Sequence, residues 1–148
     1  MVDTMKAQSV LSGASLFKGL KPEAIAALAE MADQLRFEEG DDIYRLGDSA
    51  LHVYVIVSGS VRFSLGVGNR ASSANSIMEA GETFGWAALI GEEPRRVATA
   101  SCLDDTIVLA ISGNALTRYF STDTASGYAV MCKLADRISR DLLSALTT

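Results

Sequence analysis

Between Leu35 and Ile111 the chain is a series of short runs rich in β-branched and aromatic residues, with glycines between them. The runs read QLRF, DIYR, HVYVIVS, SVRFSLG, NSIM, ETF, RVATASC and TIVLAI. Many short strands joined by glycine turns predict an antiparallel roll, sandwich or barrel, not a parallel α/β sheet. The run HVYVIVS is apolar on both of its alternating faces, which is typical of a central strand.

Helical patterns flank this β-rich region. A first helix is predicted around residues 4–11, and Pro22, which suits a first helical turn, opens a second one. The apolar positions of the second helix are Ile25, Leu28, Ala32 and Leu35. After the strands, Ser112 is expected to cap a short helix, and Thr122 or Asp123 a long final one.

This order predicts one α+β domain across residues 1–148. Helices are expected in 1–33, an antiparallel, jelly-roll-like β-roll in 35–111, and C-terminal helices in 112–147. Within the roll, the small, polar segment 66–76 is predicted to be an exposed and mobile hairpin tip. With 148 residues, 49% of them hydrophobic, the chain is long enough for a single buried core.

The final helix carries an apolar stripe at spacings of three and four. Its members are Met131, Leu134, Ile138, Leu142 and Leu146. Packing against the chain's own roll explains this stripe, and packing against the same helix of a second subunit explains it equally well. The second explanation predicts a homodimer through the C-terminal helix.

Composition narrows the classes of function. The net charge of −5 argues against a duplex-DNA surface, which needs clustered Lys and Arg, so direct nucleic-acid binding by this domain is not expected. No apolar stretch approaches the roughly 20 residues of a membrane span, and the start MVDTMKAQSV lacks the pattern of a secretory signal. We therefore expect a cytoplasmic protein that does not enter the membrane.

The reactive side chains do not predict an enzyme. His52 is the only histidine, so one chain offers no multi-histidine metal site and no histidine-assisted nucleophile. The acidic residues around Gly40 fit a solvated corner better than a cation site. Cys102 and Cys132 match no metal or redox spacing and are expected to be reduced and buried.

The segment GETFGWAALIGEEPRRVATA, residues 81–100, is the most informative part of the chain. It reads as a strand ending at Phe84, a glycine turn, a short helical turn of small residues, a polar loop, and a strand opened by two arginines. Unpaired backbone N–H groups at the start of such a turn bind anions, and an arginine can close the site. The alternative is a glycine-hinged surface loop whose arginines pair with Glu92 and Glu93.

This segment resembles the phosphate-binding cassette of the cyclic-nucleotide-binding domain family, which includes the bacterial catabolite activator protein and the regulatory subunits of cyclic-AMP-dependent protein kinase. The stretch LFKGLKPEAIAALAE is similar to the family's leading helices, and RFEEGDDIYRLGDSALHVYVIVSGSVRFSL to its first strands. The turns of that pattern fall at Gly40, Gly47, Asp48 and Gly59. The resemblance begins at Leu16 and implies the fold predicted above from the strand pattern.

The resemblance implies roles within a cassette turn spanning residues 84–99. The amides of Gly85 and Ala88 would meet the phosphate of a cyclic nucleotide, cyclic AMP or cyclic GMP, with Ala87 between them in the turn. Arg96, from the sequence Arg-Val-Ala-Thr, would pair with the same phosphate, and the Val97 amide would face it. Thr99 would supply a hydroxyl, or simply pack on its strand. Arg95 aligns less well and is expected to form a surface pair with Glu92 or Glu93.

Trp86 departs from the family pattern. The family places a glutamate here, which accepts hydrogen bonds from the ribose 2′-hydroxyl, whereas an indole has one donor and no acceptor. Trp86 would act either as an aromatic lid that stacks on a different ligand or as a residue that fills the pocket.

Two hypotheses for function follow. In the first, the domain is a small-molecule sensor that binds a cyclic nucleotide or a related anion, as the effector domain of a transcription regulator of the catabolite-activator type would. In the second, it is a degenerate β-roll that serves in dimerisation or docking. Relatives of this kind often carry a helix-turn-helix domain after the long helix, so we expect either a stand-alone module or part of a longer regulator.

Overall fold

The structure, a computed structural model, describes residues 4–64 and 77–147. Two helices come first, α1 (Thr4–Gly13) and α2 (Pro22–Met31). The strands are β1 (Asp33–Phe37), β2 (Asp42–Tyr44), β3 (His52–Ser58), β4 (Ser60–Ser64), β5 (Ile77–Glu79), β6 (Thr83–Phe84), β7 (Thr99–Cys102) and β8 (Thr106–Ser112). A short 3₁₀ helix, Trp86–Leu89, lies between β6 and β7, and α3 (Gly113–Thr122) and α4 (Thr124–Thr147) close the chain.

The described strands form two four-stranded antiparallel sheets. One has the order β1-β8-β3-β6 and the other the order β2-β7-β4-β5. The predicted α+β fold, an antiparallel β-roll between helices, is confirmed. Strand β3 pairs with β8 on one side and β6 on the other, so it is central, as its two apolar faces predicted.

Strand β3 divides the interior into two cores because its side chains alternate between faces. Val53 and Val55 enter the main core, between the helices and the first sheet, whereas Tyr54 and Ile56 enter the roll core, between the two sheets. The buried members of the main core are Ala7, Leu11, Ala14, Leu16, Phe17, Ile25, Leu28, Ala29, Ala32, Val53, Val55, Leu109, Ile111, Leu116, Phe120, Val130 and Leu134. Those of the roll core are Tyr54, Ile56, Val61, Phe84, Ala100, Val108 and Ala110.

Helices α2, α3 and α4 start where the sequence predicted, because the residues that decide each start are close to it in sequence. Pro22 occupies the first turn of α2. The Ser112 hydroxyl accepts a hydrogen bond from the Ala115 amide at 3.2 Å, and Asp123 Oδ1 accepts one from the Ser126 amide at 3.2 Å. Each cap satisfies an amide that the first helical turn leaves without an acceptor.

Strand pairing shifts two predicted boundaries. Helix α2 ends at Met31 because Ala32 is extended, and Leu35, predicted on the helical stripe, lies instead on β1 opposite Val108. The predicted strand RVATASC begins only at Thr99, since the segment before it follows the cassette loop. The predicted hairpin tip 66–76 lies outside the described residues.

Helix α4 is anchored at its start and exposed towards its end. Leu134 is buried in the main core and Ile138 packs against it, so this part of the predicted stripe covers the chain's own domain. Met131, the first predicted member, is 37% exposed, and its neighbour Val130 enters the core instead. Leu142 and Leu146 are 59% and 74% exposed. None of the described helices combines the length and apolar character that crossing a membrane requires.

The two cysteines differ from the prediction in one respect. Cys102 is buried and Cys132 is exposed, and neither forms a disulfide. Cys132 lies on α4 between the two residues that enter the main core, Val130 and Leu134, and so faces away from it.

Candidate ligand site

The cassette turn is built around Gly85. This residue follows β6 with φ of 82° and precedes the 3₁₀ helix, a left-handed backbone conformation that favours glycine. A Cβ atom there would lie 3.0 Å from both the His52 carbonyl oxygen and Arg96 Nη1. The absence of a side chain at position 85 therefore lets the Arg96 guanidinium approach the turn closely.

Arg96 is turned into the protein and is only 4% exposed. Its Nη1 donates to the Gly85 carbonyl at 3.0 Å and its Nη2 to the His52 carbonyl at 2.7 Å. Its Nε is buried without a hydrogen-bond partner. A buried donor of a charged group that lacks an acceptor is destabilising. A hydrogen-bond acceptor placed beside Arg96 Nε would therefore stabilise the site.

Aromatic rings surround this guanidinium. Its central carbon lies 4.0 Å from the centroid of the Tyr44 ring and 5.6 Å from that of Tyr54, within the range of cation–π attraction. Tyr54 in turn stacks on Phe84 with centroids 5.1 Å apart. The arginine is therefore held by ring faces and carbonyl groups, and no carboxylate of the described residues is in ion-pair contact with it.

Burial sets the ionisation of these groups. Desolvation lowers the pKa of Arg96, while the two tyrosines and, less strongly, Asp48 raise it. Desolvation raises the pKa of Tyr44 to about 12, against the positive charge of Arg96, which lowers it. Since arginine stays protonated in proteins, the site at neutral pH presents a charged guanidinium beside a neutral phenol.

A cavity of 30 Å³ lies beside Arg96. Its lining residues are Tyr44, Gly85, Trp86, Ala87, Arg96 and Val97. This volume suits a water molecule or two, whereas pockets for small organic ligands span about 300 to 1,000 Å³. Entry of a nucleotide thus requires that Trp86 or the cassette move outward.

Five of the residues predicted for the site border this cavity: Gly85, Trp86, Ala87, Arg96 and Val97. Ala88 and Thr99 do not. The Ala88 amide already donates to the Gly85 carbonyl at 3.2 Å, as the i to i+3 pattern of a 3₁₀ helix requires, and Ala88 packs against the main core. The Thr99 hydroxyl accepts a hydrogen bond from the Leu46 amide at 2.9 Å.

The two arginines of the segment have different environments. Arg96 is buried, and Arg95 is exposed with its Nη1 3.3 Å from the Ser49 hydroxyl and 3.5 Å from the Gly47 carbonyl. The expected pairing of Arg95 with Glu92 or Glu93 is therefore replaced by contacts with the loop before β3. Arg95 lies next to that loop because the backbones of Ser49 and Arg95 form an antiparallel bridge.

Trp86 lies between the main core and the cavity. It is half-buried, packs against the main core and also borders the cavity beside Arg96. In this conformation the indole helps to close the pocket. Across the described part of the chain, no group of three or more His, Cys, Asp or Glu side chains is arranged to hold a metal ion.

Sequence reasoning missed the aromatic partners of Arg96. The inward direction of Tyr54 follows from the alternation along β3 and was open to prediction. The contact with Tyr44 was not, because β2 is three residues long and carries no clear pattern. The His52 carbonyl is likewise a backbone contact that residue identity does not encode.

The cassette rests directly on α3. A Cβ atom on Gly113, the first residue of α3, would lie 2.4 Å from the Ala88 carbonyl oxygen, and the Gly113 amide donates to the Leu51 carbonyl at 2.9 Å. Farther along, Gly127 of α4 lies close against Phe120 of α3. These glycines form two close joints that connect the cassette to the C-terminal helices.

Comparison with known proteins agrees with this architecture. The chain is 24% identical over 131 residues to a CRP-like cAMP-activated global transcriptional regulator of Mycobacterium tuberculosis, a match that covers 88% of this chain and 58% of the regulator. It is 30% identical over 102 residues to the cyclic AMP receptor protein of Thermus thermophilus, covering 68% of this chain and 46% of that protein. The chain thus spans about half the length of these relatives.

Structural similarity extends over nearly the whole chain. The sensor domain of the transcriptional regulator DNR from Pseudomonas aeruginosa superposes with a TM-score of 0.77 at 23% identity, over 94% of this chain and 93% of that domain. The sequence model of the cyclic nucleotide-binding domain matches residues 34–123, from the start of the roll to the end of α3. Since that match covers both sheets and the cassette, this chain belongs to the cyclic nucleotide-binding domain family.

Proposed function

We propose that this chain is a regulatory domain, not an enzyme, and that it binds a small phosphate-bearing ligand, with a cyclic nucleotide as the first candidate, between the cassette and Arg96. The observation that carries the proposal is the buried Arg96 guanidinium, whose Nε has no acceptor and which lies beside Gly85. A phosphate oxygen is the acceptor that such a donor needs.

Binding would exchange one set of hydrogen bonds for another. Arg96 now donates to the Gly85 and His52 carbonyls, and a phosphate entering the cavity would take over one or both donors and satisfy Nε. The Trp86 and Ala87 amides, at the start of the 3₁₀ helix, have no acceptor within that helix and would add to the site. Outward movement of Trp86 would strain the joint between Ala88 and Gly113, which supports a route from ligand to α3.

The test is ligand-dependent stability of the chain with cyclic AMP and cyclic GMP. We expect the free energy of unfolding to rise by about 2.7 kcal/mol when ligand is present at a hundred times its Kd. Arg96→Ala should abolish the shift. Arg95→Ala, which removes the neighbouring exposed arginine, is the matched control and should keep it.

A second variant tests whether Trp86 itself prevents a cyclic nucleotide from binding. Trp86→Glu restores an acceptor for the ribose 2′-hydroxyl and should raise cyclic-nucleotide affinity about ten- to a hundredfold, the range of a hydrogen bond to a charged group. If calorimetry detects no binding of either nucleotide to the unaltered chain or to Trp86→Glu, cyclic nucleotides are not the ligands of this pocket.

A dimerisation role has its own support in the exposed end of α4. Leu142 and Leu146 are largely exposed. They continue a seam at alternating spacings of four and three, as in a coiled coil, whose other members are Tyr128, Cys132, Ala135 and the polar Ser139. We propose that this face pairs with the same helix of a second copy. Sedimentation should then give a dimer that Leu142→Ser with Leu146→Ser converts to a monomer, and a monomeric unaltered chain would refute the pairing.

For the protein to which the chain corresponds, we propose a role in transcription regulation, by analogy with the two bacterial relatives. The net charge of −5 argues that any contact with DNA is made by other parts of such a regulator. Fusion of this domain to a DNA-binding reporter domain would test whether a bound ligand changes the output.

A further inference from the structure

Helix α4 brings a second arginine to the edge of the roll core. Arg137 is half-buried, and its Nη2 lies 3.1 Å from the sulfur of Met78 on β5. Met78 packs against the roll core, as does Tyr44, whose ring lies against Arg96. Two guanidinium groups, one following the cassette and one from α4, therefore reach the same cluster of side chains.

Among the described residues, neither arginine is in direct contact with a carboxylate, and Asp48 acts on Arg96 only weakly and from outside ion-pair distance. The ion pairs found among the described residues join Arg45 to Asp42 and Arg140 to Asp136. A thioether sulfur is a weak acceptor, so its contact with Arg137 compensates little of the charge. Charged groups withdrawn from water are normally paired, so two guanidinium groups at one cluster, neither in contact with a carboxylate, favour an anion between them.

Tyr44 supports the proximity of the two charges. Burial raises the pKa of its phenol, and the positive charges of Arg96 and of Arg137 both act in the opposite direction. The phenol thus lies within the electric field of both guanidinium groups.

We propose that Arg137 is a second anion contact of the Arg96 pocket, and that the pocket prefers a ligand with two negative charges to a cyclic phosphodiester, which has one. This inference rests on the proposed function, because it takes Arg96 to face the ligand. A phosphate monoester is the simplest ligand of this class, since it carries a charge of about −2 above its second pKa of about 6. The second negative charge of such a ligand would contact Arg137 and so connect α4 to the roll.

The experiment compares two ligands that share a nucleoside. Calorimetry of the full chain at about pH 8, where the monoester is a dianion, measures the Kd of adenosine 5′-monophosphate and of cyclic AMP. We expect the monoester to bind more tightly. Arg137→Gln should weaken its binding about tenfold or more, and that of cyclic AMP by less than about twofold.

Two further variants separate a direct contact from general charge or folding effects. Arg140→Gln removes the same charge from an exposed position on the same helix and should leave both Kd values unchanged. Arg137→Lys keeps the charge and should recover part of the monoester affinity. Lowering the pH to about 5, where the monoester loses one charge, should weaken its binding to the unaltered chain much more than to Arg137→Gln.

The outcomes distinguish this inference from the function on which it rests. If cyclic AMP binds and the monoester binds no better, or if Arg137→Gln and Arg140→Gln act alike, the second contact is refuted and the proposed function stands. If neither ligand binds the unaltered chain, both are refuted.

Discussion

The two cores of this domain share strands β3 and β8 but differ in chemistry. The buried hydrophobic residues of the main core are aliphatic apart from Phe17 and Phe120. Among the described residues, the polar Thr83 is also buried, and its hydroxyl accepts a hydrogen bond from the Leu16 amide at 3.3 Å. The roll core stacks Tyr54 on Phe84 and lies against a guanidinium that has too few acceptors. The difference indicates that the main core stabilises the fold, whereas the roll core borders the buried charge to which the proposed function assigns a ligand.

The largest expected effect is a contrast between one substitution in each core. Leu28→Ala in the main core should lower the free energy of unfolding by about 2 to 5 kcal/mol, because Leu28 is fully buried and its removal leaves a cavity. Arg96→Met should change it by less than about 1 kcal/mol, since relief from burying a charge offsets the lost hydrogen bonds.

Urea unfolding of both variants measures this contrast. An equal loss of stability in Arg96→Met would mean that the guanidinium is a structural element of the roll. The distinction between a stabilising core and a ligand-binding core would then fail.

An intermediate effect is expected at the joint between the cassette and α3. Gly113→Ala places a methyl group against the Ala88 carbonyl and should cost about 1 to 3 kcal/mol, because backbone atoms must shift. Gly13→Ala is the matched control, since its new methyl group meets nothing within 4 Å in α1. Thermal unfolding of the two variants measures this cost. Equal melting temperatures would show that the cassette can shift away from α3 without loss of stability.

The smallest effect concerns the pH dependence contributed by Tyr44. Its pKa is raised from 10.0 to about 12, so the unfolded chain releases this proton first as the pH rises. The resulting stability is fully present below pH 10.0 and is lost as the pH rises through about 12. Because Tyr44 is half-buried, we expect its contribution to the free energy of unfolding to be about 1 kcal/mol.

Tyr44→Phe removes this contribution. The free energy of unfolding, measured by urea at a series of alkaline pH values, should therefore fall less steeply in the variant than in the unaltered chain. Matching slopes would show that the Tyr44 phenol is more hydrated than its place beside the roll core indicates.

Much of the fold was predictable because its determinants are close in sequence. The apolar residues on both faces of the run HVYVIVS predicted a central strand, and Pro22, Ser112 and Asp123 predicted helix starts. Leu35 lies on β1, in the predicted strand QLRF, and its placement on the apolar face of the second helix was wrong because pairing of β1 with β8, more than seventy residues away, overrides local periodicity. Prediction of a buried Cys132 was wrong because Cys132 lies off the face of α4 that Leu134 and Ile138 turn towards the main core.

The candidate site was predictable only in part. The resemblance identified the segment containing Gly85 and Arg96, and the structure brings these two residues into contact. Neither Tyr44 against Arg96 nor Arg137 against Met78 was predicted, because these pairs join residues 52 and 59 positions apart.

Sequence by itself determined the strand pattern, the glycine corners and the helix caps, since each depends on the conformational preferences of a few neighbouring residues. Tertiary structure alone decided that Arg96 is enclosed by aromatic rings without an acceptor for its Nε, that Trp86 helps to close the cavity, and that α4 directs Arg137 towards the roll core. These features depend on how the two sheets and α4 pack together, and the free energy of that packing is shared among many residues distant in sequence.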